Sequence, residues 1–275
     1  MDKVAIIILN YKTYEMTLKL VDSLKKICNK DQVGIIVVDN ASPNESAIEL
    51  QQHSEKNNDF ILIKSDKNGG YASGNNLGLR YAVKSGFKYS LVINNDIEIN
   101  SYSTIEKMLD LIRSDNSIGV VSPIIRNVDG TISPPKYPYK PSFWDLTFNI
   151  FGFQKQRYKF DEFKNSKVYA PRGSCMLVDN KVIEAAGYLD EATFLYYEEP
   201  ILAERILANN KFCWHCGEAE VLHNHSVTIS SSMKKKQIAE TVCKSYQYYL
   251  EHYRKMNPFE IRICVLIRKM SVMRG

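Results

Sequence analysis

Two carboxylate clusters in this chain stand where they could do chemistry. Asp96 closes the polar triplet of Leu91-Val92-Ile93-Asn94-Asn95-Asp96-Ile97-Glu98, an apolar run broken by two amides and an acid. At the C-terminal end of a buried parallel strand, such a carboxylate faces the crevice where open α/β sheets bind ligands. There it can hold a hard cation: Mg2+ and Mn2+ take oxygen ligands, and Mg2+ commonly binds one or two protein carboxylates plus the phosphates of a substrate. The triplet could equally turn the chain and cap a helix near Ser101, because Asn and Asp dominate both positions. The second cluster, Glu198-Glu199, follows the aromatic run Phe194-Leu195-Tyr196-Tyr197 and precedes Pro200. Burying a charge costs several kcal/mol unless it is paired or used. At a helix start, by contrast, acidic residues are favourable on dipole grounds alone.

The elements that must position these groups read as an alternating α/β pattern. Val4 to Leu9 is a β-branched run that predicts a strand buried on both faces, ending at Asn10-Tyr11-Lys12. Residues 13 to 29 carry apolar positions at helical spacing, and Ile35 to Val38 predict a second buried strand ending in Asp39-Asn40. Pro43 sits near the first turn of a helix running to Lys56, Phe60 to Ile63 predict a third strand, and residues 72 to 86 a third helix closed by Gly86. The run ending at Asn94-Asn95-Asp96 is the fourth strand. The first, second and fourth strands thus leave polar residues at one edge of a parallel sheet, and one crevice collects them.

Between the third strand and its helix lies Asn68-Gly69-Gly70-Tyr71-Ala72-Ser73-Gly74-Asn75-Asn76-Leu77-Gly78. Such a turn lets backbone N–H groups approach a phosphate or base at a helix N-terminus; a tight loop with close helix packing is the alternative. It lacks the Gly-Lys-Ser/Thr ending of a P-loop. Further on, residues 101 to 115 predict a helix, Ile118 to Ser122 a strand and Asp129-Gly130 a hairpin turn. Ser133 to Lys167 is rich in Pro, aromatic and basic residues, among them Phe143, Trp144, Phe148, Phe151 and Phe153, and reads either as a substrate flap or as apolar cover for the sheet. Tyr169 to Val178 is extended around Arg172-Gly173-Ser174, and Val182 to Ala186 with Gly187 reads as a short capped helix. A helix from Pro200 turns Leu202, Ile206 and Leu207 inward, with Arg205 one turn on and placed to pair with Glu198 or Glu199. His223 and His225 alternate on an extended segment and so share a side.

At 275 residues, 44% of them hydrophobic, the chain can build one large α/β domain with an appendage. It has no run of about 18 uncharged apolar residues, and its first apolar run lacks a signal-peptide layout, which predicts a cytoplasmic protein. The net charge of +5 is modest, but Lys234 to Lys236, Arg254, Lys255, Arg262, Arg268, Lys269 and Arg274 crowd the last stretch, which suits an anionic surface and not a nucleic acid. The six cysteines show no framework spacing and predict free thiols. Cys213-Trp214-His215-Cys216 with His223 and His225 nearby gives a single CxxC pair, and a buried strand explains it better than zinc.

These pieces, in this order, resemble the family 2 glycosyltransferases with a GT-A fold, particularly bacterial enzymes of surface polysaccharide synthesis and their rhamnosyltransferase-like group. The likeness spans residues 3 to 230 and rests on ILNYKT at the first strand, VDNAS at Val38 to Ser42, NGGYASGNNLG at Asn68 to Gly78, INND at Ile93 to Asp96, PRGSCML at Pro171 to Leu177, FLYYEEP at Phe194 to Pro200 and HNHSVT at His223 to Thr228. It implies a catalytic domain over 1 to 230, with a nucleotide-sugar half to residue 100 and an acceptor half beyond. Asn10, Tyr11, Asp39, Asn40, Asn68, Gly70, Asn76, Asn94 and Asn95 would then line the nucleotide sugar, with Asp39 on uracil or ribose. Asp96 matches the metal carboxylate of the DxD motif, with Asn94 replacing its first Asp, and His223 matches a further metal or diphosphate ligand. The ED motif, whose Asp is the general base, falls on Glu198-Glu199, which makes Glu199 the base. Arg172, Gly173 and Arg205 would position acceptor or donor.

The implied reaction is inverting transfer from a UDP-hexose or dTDP-rhamnose, with Mg2+ or Mn2+, to a hydroxyl of a polyprenyl-diphosphate-linked saccharide in capsule, O-antigen or cell-wall synthesis. A nucleotidyltransferase or a non-catalytic sugar-nucleotide-binding module is the alternative. The first should carry a glycine-rich basic loop after the first strand, which Asn10-Tyr11-Lys12-Thr13 is not, and the second needs no Glu198-Glu199 pair. Residues 231 to 275 are expected to form a basic amphipathic appendage. Within it, Phe259, Ile263, Leu266, Ile267, Met270 and Met273 form one helical stripe with Arg262, Arg268 and Lys269 outside it. That stripe suits the inner face of the cell membrane; packing on the catalytic domain or on a second subunit in a homodimer is the other reading.

Overall fold

A computed structural model describes residues 3–29, 31–148, 160–224 and 235–274. Its first half alternates β1 (Val4–Asn10), α1 (Tyr14–Ile27), β2 (Val33–Asp39), α2 (Ser46–Asn57), β3 (Ile61–Lys64), α3 (Gly70–Lys84) and β4 (Tyr89–Asn94). The second half adds β5 (Ile97–Glu98), α4 (Tyr102–Ser114), β6 (Ile118–Asn127), β7 (Ile132–Ser133), α5 (Phe143–Phe148), β8 (Ser166–Val168), β9 (Cys175–Asp179), α6 (Asn180–Ala185), α7 (Glu198–Ala208) and β10 (Phe212–His223). A C-terminal pair, α8 (Lys235–Tyr248) and α9 (Pro258–Arg274), is joined through a π-helical turn over Tyr249–Tyr253.

The strands form one sheet in the order β3-β2-β1-β4-β9-β6-β10-β5, with β7 beside β6 and β8 beside β10. β3, β2, β1 and β4 run parallel, as their unbroken apolar runs require. Ile6 and Ile8 enter the core on one face of the sheet, Ala5 and Ile7 the core on the other, and all four are fully buried. Removing each isoleucine side chain from water stabilises the fold by roughly 1.5–3 kcal/mol. Helix α3 lies close on this sheet because Gly78 has no side chain; a Cβ there would stand 2.5 Å from Ile7 Cγ2.

β9 enters antiparallel between β4 and β6, so the parallel sheet of the first half becomes mixed in the second. The Asp129-Gly130 turn does join β6 to β7, with Gly130 at φ +82°. Gly187 closes the chain after α6 at φ +76°. β6 extends five residues past the expected Ser122, to Asn127, and regular pairing in the 169–178 stretch begins only at Cys175. Phe151, Phe153 and His225 lie outside the described residues.

A third core joins the C-terminal helices to α5 and α7: Leu146, Tyr197, Ile201, Val242, Tyr246, Tyr249, Leu250, Ile261 and Cys264 bury one another. α9 therefore packs inward through Ile261 and Cys264, while Phe259 (73% exposed), Leu266 (59%), Met270 (42%) and Met273 (69%) face out. The stripe read from the sequence does not cover the rest of the fold; the opposite face of the helix does. Among the described residues no helix is long and apolar enough to cross a membrane. All six cysteines are free. Cys213 and Cys216 belong to cores on opposite faces of the sheet, which separates the two thiols of the CxxC spacing.

Candidate active site

The C-terminal ends of β1, β2 and β4 lie side by side, and their register sets Asn10 beside Asp39 and Leu9 beside Asn94. Asp39 is 1% exposed: its Oδ1 accepts from Asn10 Nδ2 (2.8 Å) and Ser42 Oγ (2.7 Å), and its Oδ2 from Ser42 N (3.0 Å). Asn10 is held in turn by Thr17, whose Oγ1 donates to Asn10 Oδ1 at 2.9 Å. Asp39 thus shapes the turn that carries Asn40 and Ala41, the latter at φ 54°. Asn40 Nδ2 donates to Asn68 Oδ1 (3.0 Å) and Gly70 O (3.1 Å), tying the end of β2 to the glycine-rich turn, while Asn40 Oδ1 is buried without a partner. Tyr11 is half-buried at the end of β1, under the ammonium of Lys12. Gly70 sits at φ +86°, and a Cβ there would meet Phe194 O at 1.9 Å, so this position admits glycine alone. The close approach lets Tyr71 N donate to Phe194 O (3.0 Å).

Ile93 and Asn94 of the INND segment close β4, Asn95-Asp96 is the turn into β5, and the segment caps nothing: Ser101 caps α4 with its own hydroxyl. β5 pairs antiparallel with the end of β10, setting Ile97 against His223. This pairing brings His223 Nε2 to 3.2 Å from Asp96 Oδ2, while Asp96 Oδ1 is buried with no partner. An oxygen withheld from water and from protein donors, beside an imidazole, fits a divalent cation of the Mg2+ or Mn2+ kind. Asn94 donates its backbone N–H to Ser174 O at 3.0 Å, so the strand that leads to Asp96 leans directly on the 172–174 loop.

That loop reaches the glutamates. Glu199 Oε1 accepts from Gly173 N at 2.7 Å, and a Cβ on Gly173 would lie 3.2 Å from Glu199 Cγ. Tyr71 Oη donates to Gly173 O at 2.5 Å, fastening the same glycine to α3. Glu198 and Glu199 open α7 behind Tyr196 and Tyr197, both in the left-handed region at φ 71° and 65°. Such residues cost of order 1–3 kcal/mol each and cluster at active sites. Burial, reinforced by the charge of Glu199, pushes the Glu198 carboxyl up to about 7, and its Oε2 is buried without a partner.

Three expected site residues do other work. Asn76 is fully buried and clamps α3 to Leu189 through both ends of its amide, with Glu191 as a further acceptor. Asn95 turns to α1, donating to Thr13 Oγ1 (2.8 Å) and Thr17 Oγ1 (3.0 Å). Arg205 pairs with Asp190 at 3.0 Å and with Tyr253, Gly187 and Tyr188, not with a glutamate, because it leaves α7 on the side facing the C-terminal helices. Conversely, Tyr71 and Lys136 lie near the glutamate pair and Arg268 near Lys136, all unforeseen; Lys136 lay in the aromatic, basic segment and Arg268 among the tail's surface charges. Asp22, His53 and Asp59 also gather potential ligand atoms within 4.8 Å. They lie at the N-terminal edge of the parallel strands, opposite the crevice, where Lys25 Nζ already pairs with Asp59 at 2.8 Å.

Residues 5–184 match the family model for glycosyl transferase family 2. The chain belongs to the family 2 glycosyltransferases. This glycosyltransferase is 31% identical over 228 residues to the low-salt glycan biosynthesis hexosyltransferase Agl10 of Haloferax volcanii, a match covering 82% of this chain and 69% of that protein. Among solved structures it is similar to GalNAc-T7 with UDP, GalNAc and Mn2+ (TM-score 0.68, 14% identity), covering 92% of this chain and 49%, about half, of that one. The mannosyltransferase PcManGT of Pyrobaculum calidifontis with GDP-Man and Mn2+ superposes at TM-score 0.63 and 13% identity, over 99% of this chain and 76% of that one. S. aureus TarS 1-349 with UDP-GlcNAc does so at 0.60 and 15%, over 98% and 73%. The architecture is that of GT-A glycosyltransferases.

Proposed function

We propose that this glycosyltransferase moves a hexosyl or rhamnosyl group from a nucleoside-diphosphate sugar to a hydroxyl of a lipid-linked saccharide, with inversion, in the synthesis of a surface polysaccharide. The observation that carries this is the 172–174 loop: one residue, Ser174, bonds Asn94 at the end of β4, two residues before Asp96, and its neighbour Gly173 bonds Glu199. Cation site and base thus share one support. Asn10, Tyr11, Asp39, Asn40, Asn68 and Gly70 shape the nucleotide rim, with Asn40 Oδ1 the buried acceptor left for the base or ribose. Asp96 and His223 would hold Mg2+ or Mn2+, which when bound offsets the charge gathering on the departing diphosphate. Glu199, fixed through one oxygen, takes the proton of the acceptor hydroxyl as it attacks the anomeric carbon from the face opposite the diphosphate. Glu198 sits beside it, close to half-protonated at neutral pH. Arg172 and Gly173 order the acceptor side.

Release of nucleoside diphosphate from a panel of UDP-, GDP- and dTDP-sugars, with and without saccharide acceptors, tests the reading. Acceptor-stimulated release from one donor class is expected; release of pyrophosphate from a nucleoside triphosphate would mark a nucleotidyltransferase, and binding without release a non-catalytic module.

The outer face of α9 supports a place on the inner membrane surface. Phe259, Leu266, Met270 and Met273 are exposed there beside Arg262 and Lys269, and Glu260 in the first turn is the helix's one acidic residue. Apolar side chains flanked by cations suit an anionic headgroup layer, each basic residue contributing roughly 1 kcal/mol. Because the other face of α9 is core, the test is Phe259→Asn with Leu266→Asn and not truncation. Liposome binding should fall with the monomer mass unchanged; loss of a dimer with lipid binding retained would assign the face to a second copy.

A further inference from the structure

Lys136, Arg172 and Arg268 come from three separate segments: the strand-to-helix stretch after β7, the loop before β9, and α9. None of the three side chains makes a hydrogen bond or ion pair among the described residues, and both Arg172 Nε and Arg268 Nε are buried without a partner. The Lys136 ammonium stands over the rings of Tyr137 (5.5 Å) and Tyr197 (5.6 Å), and Tyr197 immediately precedes the glutamates. Arg172 immediately precedes Gly173, which holds Glu199. Arg268 lies one turn beyond Cys264 on the inner face of α9, half-buried towards Tyr137 and Tyr197. Loss of surrounding water lowers the Lys136 ammonium from its ordinary value; the charges of Arg268 and Arg172 act in the same sense and those of Glu199 and Glu198 against it, so all five groups share one neighbourhood.

Their purpose is not to neutralise the glutamates, since among the described residues no cation forms an ion pair with either. Buried guanidinium N–H groups are costly to leave unpaired, and the planar fork of Arg matches phosphate oxygens. We propose that Lys136, Arg172 and Arg268 form a phosphate site on the acceptor side of the glutamate pair, which takes the phosphate or diphosphate of the acceptor and not that of the donor. The inference rests on the glycosyltransferase reading, in which the donor diphosphate belongs to Asp96 and His223 and the acceptor hydroxyl to Glu199. Attack with inversion sets those two on opposite sides of the sugar, and the three cations border the second. α9 links the site to a lipid: Arg268 is on its inner face, and its outer face is the exposed apolar one.

Calorimetric titration of the full chain with inorganic diphosphate tests this. In EDTA, where cation-assisted binding at Asp96 is suppressed, wild type should bind, and Arg268→Gln should weaken binding about tenfold or more, the effect of one lost charge-assisted hydrogen bond. Arg268→Lys should recover part of the affinity, and thermal melts of each variant separate this from misfolding. The titration is then repeated with Mn2+ and a saturating nucleoside diphosphate chosen from UDP, GDP and dTDP. Persistence of the diphosphate site assigns it to the acceptor. Competitive loss would give the cations to the donor, and equal binding by wild type and Arg268→Gln would remove the site altogether; either overturns the proposal. Failure of all three nucleotides to bind would fall on the glycosyltransferase reading instead, since the EDTA titration needs none of them.

Discussion

The rim formed by β1, β2 and the start of α3 differs from the side formed by the 172–174 loop, α7 and α9 in how its polar groups are satisfied. On the first, Asp39 spends both oxygens on Asn10 and Ser42, and Asn10 both ends of its amide on Asp39 and Thr17. On the second, Glu198 Oε2, Arg172 Nε, Ser174 Oγ and Arg268 Nε are buried with nothing to bond. Leaving such groups unpaired costs about 1–3 kcal/mol each. The first side fixes its acid completely and leaves the amide oxygens of Asn40 and Asn75 open; the second leaves acid and guanidinium groups unsatisfied in readiness for a substrate, on a backbone strained at Tyr196 and Tyr197. Asp96, with one oxygen toward His223 and one unpartnered, stands at the junction.

The sharpest way to break this comparison is at the junction. Asp96→Ala removes the carboxylate meant for the cation, and transfer should fall to background with Mn2+ present, as read by nucleoside diphosphate release, while the melting curve stays cooperative. Next is the unsatisfied side: Glu199→Gln should lower turnover by about 10²- to 10⁴-fold with donor affinity unchanged by calorimetry. If Glu198→Gln proves the dead variant and Glu199→Gln the active one, the two roles exchange.

The smallest effect concerns stability. The folded state raises the Glu198 carboxyl from 4.5 to about 7. A carboxyl raised on folding contributes stability that is fully present below its unfolded value and is lost as pH rises through the folded one. Glu198→Gln, which cannot ionise, should therefore melt higher than wild type at pH 8, on the order of 5 °C, with the gap closing towards pH 4.5. A constant offset at all pH values would mean that packing and not charge governs this position.

The two sides were also unequally legible. β1, β2 and β4 announce themselves as apolar runs with polar ends, and the parallel register that brings Asn10, Asp39 and Asn94 together follows from βαβ connectivity. The Glu198-Glu199 pair stood out by its aromatic approach. Residue type could not say where an amide points: Asn76 and Asn95 share motifs with crevice residues yet face Leu189 and α1. The meeting of Asp96 with His223 depends on β5 pairing with β10 across more than half the second half of the chain, and local periodicity carries no trace of it. Likewise Arg268 reads as one more tail charge until Ile261 and Cys264 bury the face of α9 on which it lies. Sequence patterns convey element and face; they do not convey which element will pack on that face.

On the proposed reading, Asp96 and His223 hold a divalent cation through which the donor diphosphate is bound during transfer. Nucleoside diphosphate release from the preferred sugar nucleotide, measured with Mn2+, in excess EDTA, and after Mn2+ is restored, tests it most directly. Release should vanish with the chelator and return with the metal in wild type, and never return in Asp96→Ala; full activity in excess chelator would rule out a cation at Asp96.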